Sequence, residues 1–474
     1  MKLEPYILQD FTNGVIDDKS VSDYLLPRNA VRKAINCVFD TPRGSISQRY
    51  GTTAIGSTVS SGNTITGIHN FRSSNTSLHK LLGVATTIIY YWDGSNWTST
   101  VTGLTAGKMR FLTYLNSVVY LNGEDQSKSW TGSGTWTSSG GNLDVGNFPK
   151  SKFGTILNTR IFCAGDPDNP DTVNASSLES SGTISWTSGN KSFKVFTNDG
   201  NGSITSLIGN GKVILIFKDR GFYRYDDNQL DRIVNIGTPS HESVVNDDNG
   251  LTYFFGQGAN SVGFFMSNGG RPIKISRPIP KWVEAIDPAF YGNVSAWING
   301  SEAGWSVGSV TIDGITYSNA CYVYSISDKT WSIRNYDDSF RVFSSYITST
   351  GALTIVGGDT DGYIQTIDSG TTDNGIPIYS ECEFGSTFFT SRGRTKVLNE
   401  FVAYATHFQG LTALVKVDNK NYDKIGDIKN TETIFKTKLR GKRFDLKISA
   451  TNSGTPWQFD GFEFYDVDDE NYGL

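Results

Sequence analysis

The chain of 474 residues and 52.0 kDa carries a net charge of −5, with 19% charged residues, 13% aromatic residues and 51 glycines. That glycine content, above the usual ~7%, beside many Tyr, Phe and Trp fits short strands joined by tight turns rather than helices. The weak negative charge excludes a global basic field for recruiting nucleic acid and leaves only local basic linings.

The N-terminus, MKLEPYILQDF, carries Glu4 and Asp10 and lacks a long apolar core, so it does not read as a secretory signal. Nor does any apolar run approach the roughly 18 residues of a membrane-spanning helix. Cys37, Cys163, Cys321 and Cys382 lie far apart with no CxxC spacing, so buried free thiols are expected, not a disulfide framework or a zinc site. These features predict a protein made and kept in a reducing cytoplasm until it is released.

After a polar, Gly-containing leader, the stretch SDYLLPRNAVRKAINCVFD reads as a short helix of one or two turns. Pro27 would open it, since its missing N–H is one the first turn cannot use. Leu26, Ala30, Ala34 and Ile35 would form its narrow apolar stripe. TPRG then signals a turn into the basic segment holding Arg43 and Arg49. A stripe this small cannot build its own core. Residues 1–59 are therefore expected to form an assembly arm, with residues 11–52 poorly anchored in the isolated chain. Its contact residues would be Leu26, Arg28, Ala30, Arg32, Lys33, Arg43 and Arg49.

From about Thr64 the sequence settles into strands separated by Gly/Asn/Ser turns, in units of about 40 to 60 residues, the range of propeller blades. Two early units match closely: Tyr91–Trp92–Asp93–Gly94 with Trp97, and Tyr120–Leu121–Asn122–Gly123 with Trp130 and Trp136. Asp-Gly and Asn-Gly supply the positive φ that tight hairpin turns need. The expected fold is all-β: a propeller of six or seven blades over residues 60–370. After the TTDNG linker the strands lengthen and alternate, as in NEFVAYATHF and RFDLKISAT, so residues 376–474 are expected to form an antiparallel β-sandwich with basic turns at RGRTK and LRGKR.

Catalytic patterns are missing from the sequence. His69, His79, His241 and His407 fall in different units, and there is no HExxH, GxSxG, Walker A or dinucleotide fingerprint. GNGK at Gly209–Lys212 reads as a hairpin turn. GGDTDG at Gly357–Gly362 and GDPDNPD at Gly165–Asp171 read as acidic loops first and carboxylate clusters second. Trp92, Trp97, Trp130, Trp136 and Trp331 suit either a sugar-binding face or anchors between adjacent blades, with anchors the simpler account. Carboxylates from different blades leave glycoside hydrolysis open, because they meet only in three dimensions. Basic sets at Arg28, Arg32 and Lys33, and at Arg392, Arg394, Lys396, Arg440, Lys442 and Arg443, suit either a solvated surface or contacts to a DNA backbone that read no bases.

The N-terminal residues Phe11, Asn13 and Gly14, then Leu25, Pro27, Ala30, Asn36 and Cys37, then Pro42, Arg43, Gly44, Ile46, Arg49, Gly51 and Thr52 form a spaced set. This set resembles the tail hub and nozzle proteins of short-tailed bacteriophages, including tail tubular protein B types and packaged DNA stabilisation proteins. The order of arm, propeller and β-rich C-terminal domain is similar too. The resemblance implies a non-enzymatic virion protein without cofactor or metal, assembled in the bacterial cytoplasm. Copies would form a ring, commonly six, below the portal or tail adaptor. The ring would extend and close the DNA channel, pass double-stranded DNA non-specifically, retain the packaged genome and offer attachment to fibres or spikes. It assigns no channel-lining residue and no membrane partner. Large inserted domains of bigger nozzle proteins are missing from this sequence. The rival readings are a carbohydrate-binding or glycan-cleaving propeller, and a head-completion or tail protein of a long-tailed phage.

Overall fold

A computed structural model describes residues 2–17, 26–40, 44–74, 78–197, 199–348, 350–389 and 393–469. The fold is all-β, 53% strand and 4% helix, and its largest sheet, of fourteen strands, is nearly closed. Among the described residues no helix is long and apolar enough to cross a membrane.

The middle of the chain makes seven successive antiparallel groups of strands, denoted I to VII. Group I is Ile65–Arg72, His79–Ala85, Ile88–Trp92 and Trp97–Val101; group II begins at Arg110–Tyr114, group III at Phe153–Leu157 and group IV at Ile204–Asn210. Group V centres on Thr252–Gly258 and Ser261–Ser267, group VI runs from Ser295–Ile298 to Trp331–Asn335, and group VII from Phe340–Ile347 to Ile364–Ile367. Most strands pair with the next in sequence, although in group V Ile236–Gly237 and Val245–Asn246 both pair with Thr252–Gly258. Group VII departs as well. Its outer strand is Thr52–Ala54, which pairs with Ile367, Thr366 and Gln365 from the far end of this region.

The groups stack through both faces. In group IV, Ile214 and Ile216 join a core with Phe162 and Val173 of group III, while Leu215 and Phe217 join one with Phe254 and Phe265 of group V. Strict alternation in a wholly apolar strand therefore serves two neighbours. First strands lie side by side from I through IV, and those of VI, VII and I adjoin in turn; the His241–Ser243 turn touches the first strands of IV and VI.

The remaining strands form two facing layers. One joins Cys37–Asp40, Ser45–Gln48, Gln458–Asp469, Lys396–His407 and Glu432–Gly441, with Tyr6–Leu8 also paired to Gln458–Asp469. The other runs Val31–Ile35, Ile376–Phe384, Phe444–Asn452, Thr412–Val417, Tyr422–Asp427. Phe11, Phe384, Phe401, Phe444, Phe459, Phe462, Phe464 and Trp457 fill the space between them. Four segments from the first 50 residues thus complete a sandwich whose other strands lie beyond residue 375.

This corrects the expectation of a loosely held helical arm. Val31–Ile35 is a strand, antiparallel to Ile376–Phe384 and touching Ile333 in parallel register. Phe11, Val15, Ala30, Val31, Ala34 and Cys37 are each 1% exposed or less. A two-turn helix is marginal on its own, and β-branched Val31 and Ile35 gain more by completing an open sheet edge. Pro27 sits in a turn, where its carbonyl accepts from Ala30 N at 3.0 Å.

Candidate functional site

Two polar sites stand out, one where the N-terminal strands meet the rest and one at the Ser240–Ser243 turn, beside the first strands of groups IV and VI.

At the junction, Asn36 takes a positive φ of 53° and turns the chain out of Val31–Ile35. Its side-chain oxygen accepts from Arg49 Nε at 2.8 Å and Asn335 N at 2.8 Å. Arg49 is 0% exposed. Its two Nη atoms grip Asp373 bidentately at 2.7 and 2.6 Å, and they also reach the carbonyls of Tyr50 at 2.8 Å and Asn335 at 3.1 Å. The guanidinium lies 4.3 Å from the Tyr336 ring centroid. Every donor is committed within the chain, the condition under which a buried charge is tolerated. Beside it lies an open cavity of about 330 Å³ lined by Lys33, Asn36, Tyr317, Asp337, Tyr379 and Glu381 among others. Lys33 pairs with Glu381, whose other oxygen accepts from Tyr379 Oη at 2.5 Å. Burial pushes the Glu381 carboxyl up, but Lys33 and Tyr379 outweigh it and hold it below the usual carboxylate range.

The Ser240–Ser243 turn is held from several sides. Glu242 pairs with Lys108 at 3.1 Å and Arg110 at 2.5 Å, both at the entry to group II. Lys108 also donates to Gly292 O at 2.8 Å. His241 bonds Ser206 Oγ at 2.8 Å and packs 4.9 Å from the Phe153 ring. Ser240 Oγ donates to Val294 O at 2.7 Å, and Trp305 Nε1 to Ser243 O at 3.0 Å. Burial first, then Arg110, pushes the imidazole down to about 3, so it is neutral at pH 7. For Glu242 burial acts upward, but Arg110 and Lys108 prevail and hold it well below its ordinary value. Glu242 is the single carboxylate among the described residues lining the adjoining cavity of about 400 Å³.

The seven N-terminal candidates do not converge on one outer face. Arg43 lies outside the described residues. Ala30 and Arg49 are fully buried, which overturns their reading as contacts to another chain. Lys33 is engaged by Glu381, and Arg32 has a partner within the chain. Leu26 packs over Gly385, and exposed Arg28 stands 5.5 Å from the Tyr6 ring. Of the basic turns, Arg392 is outside the described residues, Arg394 pairs with Asp469 at 3.2 Å, and Lys396 is 0% exposed.

Four of the five candidate tryptophans are buried or hydrogen-bonded within the chain. Trp130 and Trp331 are buried; Trp97 Nε1 donates to Ile55 O at 3.0 Å and Trp136 Nε1 to Thr100 Oγ1 at 3.0 Å. Asp359 spends its oxygens on the N–H groups of Asp361 and Tyr363 and on Gln365, as a turn residue does. Among the described residues no group of three or more His, Cys, Asp or Glu is placed to hold a metal ion. Sequence reading missed the Glu242 cluster, because Lys108 and Glu242 are 134 positions apart and neither carries a motif.

No protein-family model matches the chain, and no curated protein matches it. Among solved structures it is similar to the extracellular domain of the two-component system BT3049 from B. thetaiotaomicron, at TM-score 0.47 and 11% identity over 94% of this chain and 62% of that one. It is similar too to the extracellular domain of BT4673 from the same organism, at TM-score 0.45 and 12% identity over 80% of this chain, and spans 47% of that domain. The AfRom2 CNH domain matches at TM-score 0.40 and 9% identity, over 67% of this chain and 99% of that one.

Proposed function

We propose that the seven groups of strands are the blades of one β-propeller closed by Thr52–Ala54, and that the chain is a non-enzymatic structural protein of a short-tailed phage tail. In this reading copies assemble into a ring, commonly of six, below a portal or tail adaptor. The ring extends the DNA channel, retains the packaged genome until infection and carries fibres or spikes.

The observation that carries the reading is the work done by the residues of the phage-like N-terminal set. Phe11 is core, Gly14 adopts φ +56° against Thr330, Asn36 and Arg49 tie together the junction, and Gly51 lies so close to Thr372 that a methyl there would overlap its carbonyl. The set is thus a weld between propeller and sandwich. A load-bearing ring subunit needs such a weld, and radial packing leaves few exposed strand edges.

The central ion cluster bears on where DNA would pass. Lys108, Arg110 and Glu242 meet across the middle of the blades, so a duplex would run between copies and not along the axis of one propeller. Contact there needs only sequence-independent electrostatics, and a strongly positive lining would hinder sliding.

The glycan-cleaving rival asks for two carboxylates flanking one bond. Among the described residues Glu242 is the one carboxylate lining its cavity, and its cation partners favour the ionised form, a poor general acid. The long-tailed phage alternative shares the structural role and differs in its neighbours.

Particles made without the protein are expected to package DNA and then leak it, with tails stopping short of their tip. Full, DNA-retaining, infectious particles without it would sink the reading. Projection images of the purified protein check the ring separately.

A further inference from the structure

Three sheltered arginines are treated differently by this fold. Arg49 grips Asp373, and Arg334 grips Glu302 at 2.6 Å and Asp368 at 3.0 Å. Arg341, on Phe340–Ile347, has neither: among the described residues its recorded partner is the Phe290 ring, 4.8 Å away. Burial alone pushes its pKa down, with no carboxylate acting against it. Stacking on an aromatic face leaves the N–H edge of a guanidinium free in its own plane, the edge that binds oxyanions bidentately.

Arg341 lines the cavity of about 400 Å³ together with Thr66, Lys108, Glu242 and Phe290. Charge agrees. Glu242 is paired with Lys108 and Arg110, His241 is neutral, and Arg341 has no carboxylate acting on it, so the pocket carries an excess of positive charge. Phe290, Ile65 and Val342 add an apolar wall. The volume falls within the range of small-molecule sites.

We propose that this cavity binds a small organic oxyanion, a carboxylate or a phosphate monoester on a compact body. The Arg341 fork grips its oxygens, and Lys108 supplies a second cation. The site is independent of the tail reading and would stand if that reading failed.

The test is calorimetric titration of the full chain with glucuronate, glucose 6-phosphate, inorganic phosphate and, as a neutral control, glucose, all at one ionic strength. Saturable binding of at least one anion and none of glucose is expected. Glucuronate alone assigns a carboxylate site, glucose 6-phosphate alone a phosphate-ester site, and inorganic phosphate alone a free-phosphate site. Arg341→Gln should weaken binding at least about tenfold, the loss of one bidentate charged contact. Should Arg341→Gln fail to fold, Arg341→Lys keeps the charge, loses the fork and should still bind several-fold more weakly. No anion binding at about ten times a millimolar Kd, or equal binding by wild type and the Arg341 variants, overturns the proposal.

Discussion

The seven successive strand groups and the two-layer sandwich are both antiparallel β, yet they are assembled in opposite ways. In the groups nearly every strand pairs with the next one along the chain, as Val213–Lys218 does with Ile204–Asn210 and Phe222–Tyr225. In the sandwich the pairings span almost the whole sequence: Tyr6 lies opposite Phe464 and Ile35 opposite Glu381. Closing such long loops costs entropy before any contact is gained, so the sandwich is expected to form late and to need both chain ends. Local pairing lets each group find its register alone; the strand Thr52–Ala54 and the Arg49 junction couple the two parts.

The largest way to break this contrast is to remove residues 1–50. Deletion strips the edge strands and Phe11, Val31, Ala34 and Cys37 from the sandwich core. The expected outcome is loss of the sandwich, seen as fast amide exchange over residues 376–469 with protection kept in groups II to V. A deletion variant with wild-type protection throughout would show that the termini are not needed.

Arg49→Ala is next. It leaves Asp373 buried with an uncompensated charge, and a cost of about 3–5 kcal/mol is expected in denaturant unfolding. Arg49→Ala with Asp373→Ala should recover part of that, because neither charge then remains alone. Gly14→Ala follows: a side chain at φ +56° would also press on Thr330, and a loss of about 1–3 kcal/mol is expected.

The pH test sharpens the strand-group side. His241 is pushed down to about 3 and His69, by burial, to about 4, both below the ordinary value of 6.5. The folded state therefore binds fewer protons than the unfolded one. Their contribution is complete above about pH 6.5 and is lost as the pH falls toward those values. Each histidine adds at most about 1.4 kcal/mol per pH unit in that window. Unfolding free energies at a series of pH values should slope accordingly, and His241→Gln should flatten the slope. A slope unchanged in both His241→Gln and His69→Asn would remove the buried-imidazole account.

The sequence by itself determined the all-β class, because Asn-Gly and Asp-Gly turns between alternating apolar runs act locally and need no distant partner. Asn210–Gly211, with Gly211 at φ +61°, closes the hairpin that GNGK announced. The lengthening of strands expected after residue 370 is not confined to that part: Glu302–Ile312 and Ile315–Ser325, of 11 residues each, precede it. Only the tertiary structure decided the fate of Val31–Ile35, whose short apolar stripe suits a helix as well as a strand until Ile376–Phe384 offers it an edge. The same holds for the charges. Arg49 and Arg341 look alike in sequence, yet one is spent on Asp373 and the other lies on the Phe290 ring, in a cavity whose one carboxylate among the described residues, Glu242, is taken by Lys108 and Arg110. A local pattern records a residue's conformational preference, while its electrostatic partner is set by segments that only the folded chain brings within a few ångströms.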